Sequence, residues 1–160
     1  MSYYDELLYQ ALDLVHKNPA APTQADLRRG VSAAYYALFH KLISETTANW
    51  TRASSRNSLA RMFQHTAMAK ASARISDSKL FPFTGENPLV VQKLKAVSQA
   101  FVQLHDKREI ADYDNSTLWT PTEALAEVRT AFKAFVTWDT IRAENIAQEY
   151  LVSLLIKPRG

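Results

Sequence analysis

The chain has 160 residues, contains no cysteine and carries a formal net charge of +3 at pH 7. This length predicts a single domain over residues 1–160 with a sizeable core, and the lack of cysteine excludes disulfides and a cysteine nucleophile. The presence of only three glycines argues against a β-rich fold and against a glycine-rich phosphate loop. No apolar run approaches the roughly 20 residues of a membrane span, and the acidic N-terminus lacks a signal pattern, so we expect a cytoplasmic protein without membrane contact.

Two helices are predicted in the first third of the chain. The first covers 3–16, with Ser2 as N-cap and apolar residues at helical spacing. The second covers 23–47, with Thr23 as N-cap and Asp26 as its capping-box partner. Small residues on the second helix predict a strip where another helix approaches closely, within the chain or in a homodimer: Gly30, Ala33, Ala34 and Ala37.

The rest of the chain also has helical patterns. A third helix is predicted over 58–75, and the irregular link after it contains Phe81-Pro82-Phe83, which we expect to pack into the core. Helices four and five should begin at Pro88 and Pro121, because proline is favoured in the first turn. A last helix is expected at about 141–156. The predicted fold is therefore all-α, an antiparallel bundle of about five to six helices.

Charge is unevenly distributed. Residues 46–76 contain no aspartate or glutamate. Such a block either binds an anion such as nucleic acid or forms a solvated face opposite an acidic patch. Its basic residues are Arg52, Arg56, Arg61, Lys70 and Arg74.

Arg108 continues the apolar stripe of helix four. An arginine at such a position must be paired or face a cleft, because an unpaired buried charge is unfavourable. Asp112, four residues later, is the expected partner. His105 lies on the same face, and Tyr113 follows Asp112. Two interpretations remain open: an internal ion pair that closes the helix end, or a contact to phosphate or another anion.

Helix two carries a second polar stripe. Arg29, Tyr36 and His40 share one face, with Tyr35 beside them. Paired tyrosines at this spacing are typical of core packing with the hydroxyl groups bonded outward. The alternative is a groove in which the arginine, tyrosine and histidine contact a ligand.

Three segments resemble HEPN domains (higher eukaryotes and prokaryotes nucleotide-binding). Residues 26–43 read DLRRGVSAAYYALFHKLI and resemble the early long helix of that superfamily. Residues 104–114 read LHDKREIADYD and resemble its late motif, Arg-x-x-Ala-Asp-Tyr; residues 60–70, ARMFQHTAMAK, resemble the middle helix of small bacterial members. The resemblance covers about 7–135. It implies an all-α bundle that is commonly a homodimer, and either a metal-independent endoribonuclease or a binding partner of a minimal nucleotidyltransferase.

The catalytic motif of this superfamily is incomplete here. Catalytic members carry Arg, a polar residue and then His, with four to six residues between Arg and His. Glu109 follows Arg108, but no histidine comes within that reach, and only three residues separate Arg61 from His65. The resemblance implies that Arg108 holds phosphate and stabilises its charge. For the proton transfers, the candidates to replace the missing histidine are His105, on the same face, and His40 or His65 from other helices. The candidate nucleotide- or RNA-binding residues are Arg29, Tyr36, His40, Arg61, His65, Asp112 and Tyr113.

Three functions are compatible with these patterns. The first is a HEPN-like nucleotide- or RNA-binding module of a toxin–antitoxin or defence system, without catalysis. The second is a metal-independent endoribonuclease that uses a non-standard histidine. The third is a helical protein-interaction dimer, which an exposed apolar stripe over 141–156 would favour. Expected partners are a second copy, RNA or a nucleotide, and a nucleotidyltransferase-type antitoxin. We expect no cofactor and no metal, because no HExxH or paired-carboxylate motif is present.

Overall fold

The computed structural model describes residues 1–77 and 83–155. Within these ranges the chain is helical and contains no strand, which confirms the all-α class. The helices are α1 (Tyr3–His16), α2 (Gln24–Ala48), α3 (Arg56–Ala60), α4 (His65–Arg74), α5 (Pro88–Tyr113), α6 (Pro121–Ile141) and α7 (Asn145–Ser153), with a single 3-10 turn at Ala53–Ser55. Among the described helices, none combines the length and hydropathy that a membrane span requires.

Four predicted helix starts are confirmed, those of α1, α2, α5 and α6. The Ser2 side chain and the Asp5 side chain cap each other's backbone N–H groups, so α1 begins with a complete capping box. The Thr23 hydroxyl accepts a hydrogen bond from the Asp26 N–H at 3.2 Å, as predicted. The reciprocal bond of the predicted capping box is not formed, because the Asp26 carboxylate lies 3.6 Å from the Lys17 ammonium instead. The helices α5 and α6 begin at prolines, as predicted.

The middle and last helices differ from the prediction. The helix expected over 58–75 is broken into α3 and α4, because the backbone between them turns Phe63 into the core and leaves Met62 exposed. The last helix is shorter than expected and begins at Asn145. Phe83 is half-buried and packs against the core, while residues 81, 82 and 156 lie outside the described ranges.

The central helix is α2, which packs against α1, α5 and α6. A Cβ added to Gly30 would lie 2.6 Å from the Val15 Cγ1 and 3.3 Å from the Ala11 carbonyl oxygen. The close helix approach predicted at this strip therefore occurs within the chain, between α1 and α2. Because α1 covers Gly30, this glycine is not available to a second copy.

Candidate functional site

One arginine and three histidines meet around the middle of α2. The arginine and one histidine come from α5, the second histidine is the first residue of α4, and the third lies on α2. On α2 and α5 the contributing side chains lie on neighbouring rows of the helix surface, because positions three to five residues apart are close together there. We call this group the arginine–histidine cluster: Tyr35, Tyr36, Phe39, His40, His65, His105 and Arg108.

Arg108 is buried, with 7% of its surface exposed. Its Cζ lies 5.0 Å from the centre of the Tyr35 ring and 5.9 Å from that of Tyr36, a cation–π arrangement. Its Nε is buried and has no hydrogen-bond partner. None of the ion pairs within residues 1–77 and 83–155 includes Arg108. The guanidinium is thus a buried cation without a carboxylate.

The predicted ion pair between Arg108 and Asp112 is not formed. Asp112 is exposed, and its carboxylate accepts a hydrogen bond from the Ser32 hydroxyl at 3.3 Å. The Arg108 side chain is instead held against the rings of α2. A helical side chain leans toward the N-terminus of its helix, which takes Arg108 away from the aspartate one turn later. The interpretation of Arg108 as half of an internal ion pair is therefore wrong.

His65 is fixed by two contacts. Its Nδ1 lies 2.7 Å from the Tyr35 hydroxyl, and its ring stacks on Phe39 with centroids 4.2 Å apart. Burial raises the pKa of Tyr35 above its ordinary value, and the positive charge of Arg108 opposes that rise. Tyr35 therefore remains a neutral hydroxyl at physiological pH. When it donates to Nδ1, neutral His65 carries its proton on Nε2.

Two imidazoles of the cluster, those of His65 and His40, are in an environment that disfavours their protonation. Burial lowers the pKa of His65 below its ordinary 6.5, and the charges of Arg108, His105 and His40 lower it further. Burial also lowers the pKa of His40. His105 is buried, and its ring is 5.7 Å from that of Tyr35. A bound anion would reverse this balance, because it would stabilise every positive charge in the cluster.

Two carboxylates lie at one edge of the cluster, beside His105. Its Nδ1 is 3.4 Å from the Asp106 carboxylate, and its Nε2 is 3.8 Å from that of Glu109. Both acids are exposed, and the His105 Nε2 itself has no hydrogen-bond partner. Among the described residues, the ion pairs place acids beside His105 and none beside His65 or His40.

The remaining predicted residues fall into two groups. Arg29, Tyr36 and His40 line one cavity of about 460 Å³ between α1 and α2, so the stripe predicted on α2 does face a groove. Arg61 and Tyr113 are exposed, like Asp112, and make none of the ring contacts of the cluster. Tyr113 lines a separate shallow depression beside Glu109 and Asp114.

Sequence reasoning missed the roles of three residues. Tyr35 was treated as core packing beside the polar stripe, but its hydroxyl contacts His65, 30 positions away. Phe39 supports the same imidazole. The guanidinium of Arg28 donates to the carbonyls of Ala111, Asp114 and Thr117 and so caps the end of α5. These contacts join distant parts of the chain, and no local sequence pattern marks them.

The arrangement is suited to holding an anion and to moving protons near it. A guanidinium and imidazoles supply charge-assisted donors, and neutral imidazoles accept or donate protons near pH 7. No group of three or more potential metal ligands occurs in the described part of the chain. Comparison with protein-family models, curated proteins and solved structures returned no match. The resemblance to HEPN domains thus rests on the three sequence segments alone.

Proposed function

We propose that the chain is a HEPN-type nucleotide- or RNA-binding protein and that the arginine–histidine cluster is its phosphate-binding site. The observation that carries this proposal is the burial of Arg108 without a carboxylate partner. An unpaired buried cation is unfavourable unless an anion compensates it. A phosphate group provides that charge, and its oxygens accept two parallel hydrogen bonds from a guanidinium.

The basic block of residues 46–76 supports the same ligand class. Its residue His65 belongs to the cluster, so the block reaches the proposed phosphate site. Arg52 and Arg61 are exposed and are available to further phosphates of a longer RNA. Arg56 is not, because its guanidinium donates to the carbonyls of Trp50 and Ala48.

The biological setting follows from the resemblance. We propose a cytoplasmic protein with an antiparallel helical bundle of HEPN type that acts as a homodimer in a toxin–antitoxin or defence system. A nucleotidyltransferase-type antitoxin is the proposed partner protein. Since α1 covers Gly30, the dimer surface would use other parts of α2 or α5. Light scattering should give a mass near twice the 18.1 kDa of one chain; the mass of a single chain at micromolar concentration would contradict the dimer.

A second candidate is the metal-independent endoribonuclease. The fixed position of His65 beside Arg108 and His105 favours it. One imidazole would accept the proton of the ribose 2′-hydroxyl while that oxygen attacks phosphorus, and another would donate a proton to the departing 5′-oxygen. Cleavage that persists in EDTA and is lost in His65→Asn would support this candidate. Tight RNA binding without cleavage would leave the binding function alone.

The protein-interaction alternative has less support. An exposed apolar stripe over 141–156 would favour it. The apolar residues Ile141, Ile146, Tyr150 and Leu151 are buried instead, and Val152 is the exposed large apolar residue of α7. This surface therefore offers no broad apolar face to a partner.

Binding of a fluorescent single-stranded RNA at low salt tests the proposal. Arg108→Ala should weaken binding about tenfold to a hundredfold, as expected for the loss of charge-assisted hydrogen bonds to phosphate. Arg108→Lys should also lose affinity, because an ammonium cannot make the two-pronged contact. Arg129→Ala, which removes an exposed arginine of α6, is the matched control and should bind normally. Equal affinity of Arg108→Ala and the unsubstituted protein would overturn the phosphate site.

A further inference from the structure

The cavity between α1 and α2 has an unusual lining. Its volume of about 460 Å³ lies within the range of about 300–1,000 Å³ typical of ligand pockets. Aromatic, aliphatic and polar side chains all line it. They include Tyr3, Leu7, Gln10, Arg29, Tyr36 and His40.

The aromatic rings of this cavity are partly exposed to solvent. Tyr3 is 60% exposed although it is a large aromatic residue, and its ring meets His40 edge to face with centroids 5.0 Å apart. The Tyr36 ring also lies near His40, with centroids 6.3 Å apart. All three rings line the cavity, and the exposed Tyr3 ring leaves surface for a further flat ring to stack.

The cavity adjoins the proposed phosphate site. Tyr36 lines the cavity, and its ring also lies 5.9 Å from the Cζ of Arg108. His40 likewise lines the cavity and belongs to the arginine–histidine cluster. Tyr36 thus contacts both the cavity and the buried guanidinium, an arrangement that suits two parts of one nucleotide.

We propose that the α1–α2 cavity is a nucleobase subsite, which receives an unpaired base of the nucleotide whose phosphate contacts Arg108. The inference rests on the proposed function and narrows its substrate to a mononucleotide or single-stranded RNA. Unpaired bases stack on tyrosine and histidine rings and present their edges to polar side chains. The Gln10 amide has both a donor and an acceptor for a base edge, and Arg29 supplies a cation for an adjacent phosphate. A base within a duplex is stacked between its neighbours and cannot enter.

Variants of two tyrosines on α1 distinguish RNA binding at this subsite from RNA binding elsewhere on the surface. Tyr3→Ala removes the proposed stacking ring. Tyr9→Ala is the matched control, because Tyr9 is 50% exposed on the same helix but meets Phe132 of α6. We expect Tyr3→Ala to bind single-stranded RNA about tenfold more weakly, in line with the loss of one stacked base, and Tyr9→Ala to bind normally. Tyr3→Phe keeps the ring and should retain most of the affinity.

Inorganic phosphate serves as the second probe, because it has no base. Its binding, followed through the imidazole signals of the full chain by NMR, should be unchanged in Tyr3→Ala and lost in Arg108→Ala. Normal RNA affinity in Tyr3→Ala, or binding of duplex RNA as tight as that of the single strand, would overturn the base subsite and leave the phosphate site standing. Failure of the unsubstituted protein to bind either probe would overturn the phosphate site and the subsite together.

Discussion

Two buried cations of this protein are held in opposite ways. Lys41 on α2 is 4% exposed, and its ammonium lies 3.0 Å from the Asp139 carboxylate. The same nitrogen lies 4.8 Å and 4.9 Å from the ring centres of Tyr4 and Phe135. Arg108 on α5 has comparable burial and ring contacts, but no carboxylate partner.

The difference separates a structural cation from one that we propose to be functional. The charge of Lys41 is compensated by the exposed Asp139 carboxylate, so this residue joins α1, α2 and α6. Arg108 takes part in none of the ion pairs of the described residues, and its positive charge lowers the pKa of the neighbouring His65. We therefore propose that this arrangement binds an anion.

Arg28 belongs with the compensated cations. Arg28→Ala removes three hydrogen bonds to carbonyls at the end of α5 and should lower the free energy of unfolding by about 3 kcal/mol, since bonds from a charged donor are strong. Urea denaturation measures the change. Arg29→Ala, the exposed neighbour, is the control and should unfold like the unsubstituted protein. Equal stability of the two variants would show that the cap of α5 contributes nothing.

Lys41→Met tests the role of the buried cation that has a carboxylate partner. The change removes the ion pair and both ring contacts but keeps an apolar stem, so we expect a loss of about 2 kcal/mol of stability. RNA affinity should remain unchanged, because this residue lies outside the arginine–histidine cluster. Lys133→Met, at an exposed position on α6, controls for the loss of one positive charge. A drop in RNA affinity in Lys41→Met but not in Lys133→Met would contradict the purely structural role of Lys41.

The pH dependence of stability should come from the cluster. The pKa values of His65 and His40 are lowered in the folded protein, so the unfolded chain binds more protons than the folded chain just below pH 6.5. Stability should therefore fall as pH decreases from about 6.5. Thermal melts at pH 7.5 and pH 5.5 measure this loss. It should be smaller in His65→Asn and unchanged in Lys41→Met; an equal loss in His65→Asn would place the titrating group elsewhere.

The smallest expected effect concerns the basic block. Arg52 and Arg61 are exposed, whereas Arg56 is bonded to backbone carbonyls. Each of the two exposed arginines that contacts phosphate should contribute about one unit to the slope of log affinity against log salt. The double variant Arg52→Ala, Arg61→Ala should therefore have a shallower slope, and Arg56→Ala should not. An unchanged slope in the double variant would move the RNA path to another surface.

The sequence predictions were accurate where interactions between neighbouring residues decide the structure, and less accurate where contacts between distant residues decide it. The helix starts at Ser2, Thr23, Pro88 and Pro121 were predicted because a cap or a proline acts on its own first turn. The break between α3 and α4 was not, because it depends on the burial of Phe63 by the rest of the fold.

The candidate site shows the same limit. The position of Arg108 on an apolar stripe predicted that it is paired or faces a cleft, and the structure buries it against the rings of Tyr35 and Tyr36. Its partner was predicted wrongly, since helical spacing identified Asp112 but could not show that this aspartate is exposed. The contact of Tyr35 with His65 joins residues 30 positions apart, and it arises only when α2 and α4 are brought together.

Thermal melting of the unsubstituted protein and of Arg108→Leu, each with and without single-stranded RNA, tests the central claim most directly. Replacing an uncompensated buried cation by an apolar residue is expected to leave stability unchanged or higher, so Arg108→Leu without RNA should melt at or above the unsubstituted protein. RNA should raise the melting temperature of the unsubstituted protein, because a ligand stabilises the state that binds it, and should leave that of Arg108→Leu unmoved. A variant that melts several degrees lower without RNA and is still stabilised by it would contradict the account.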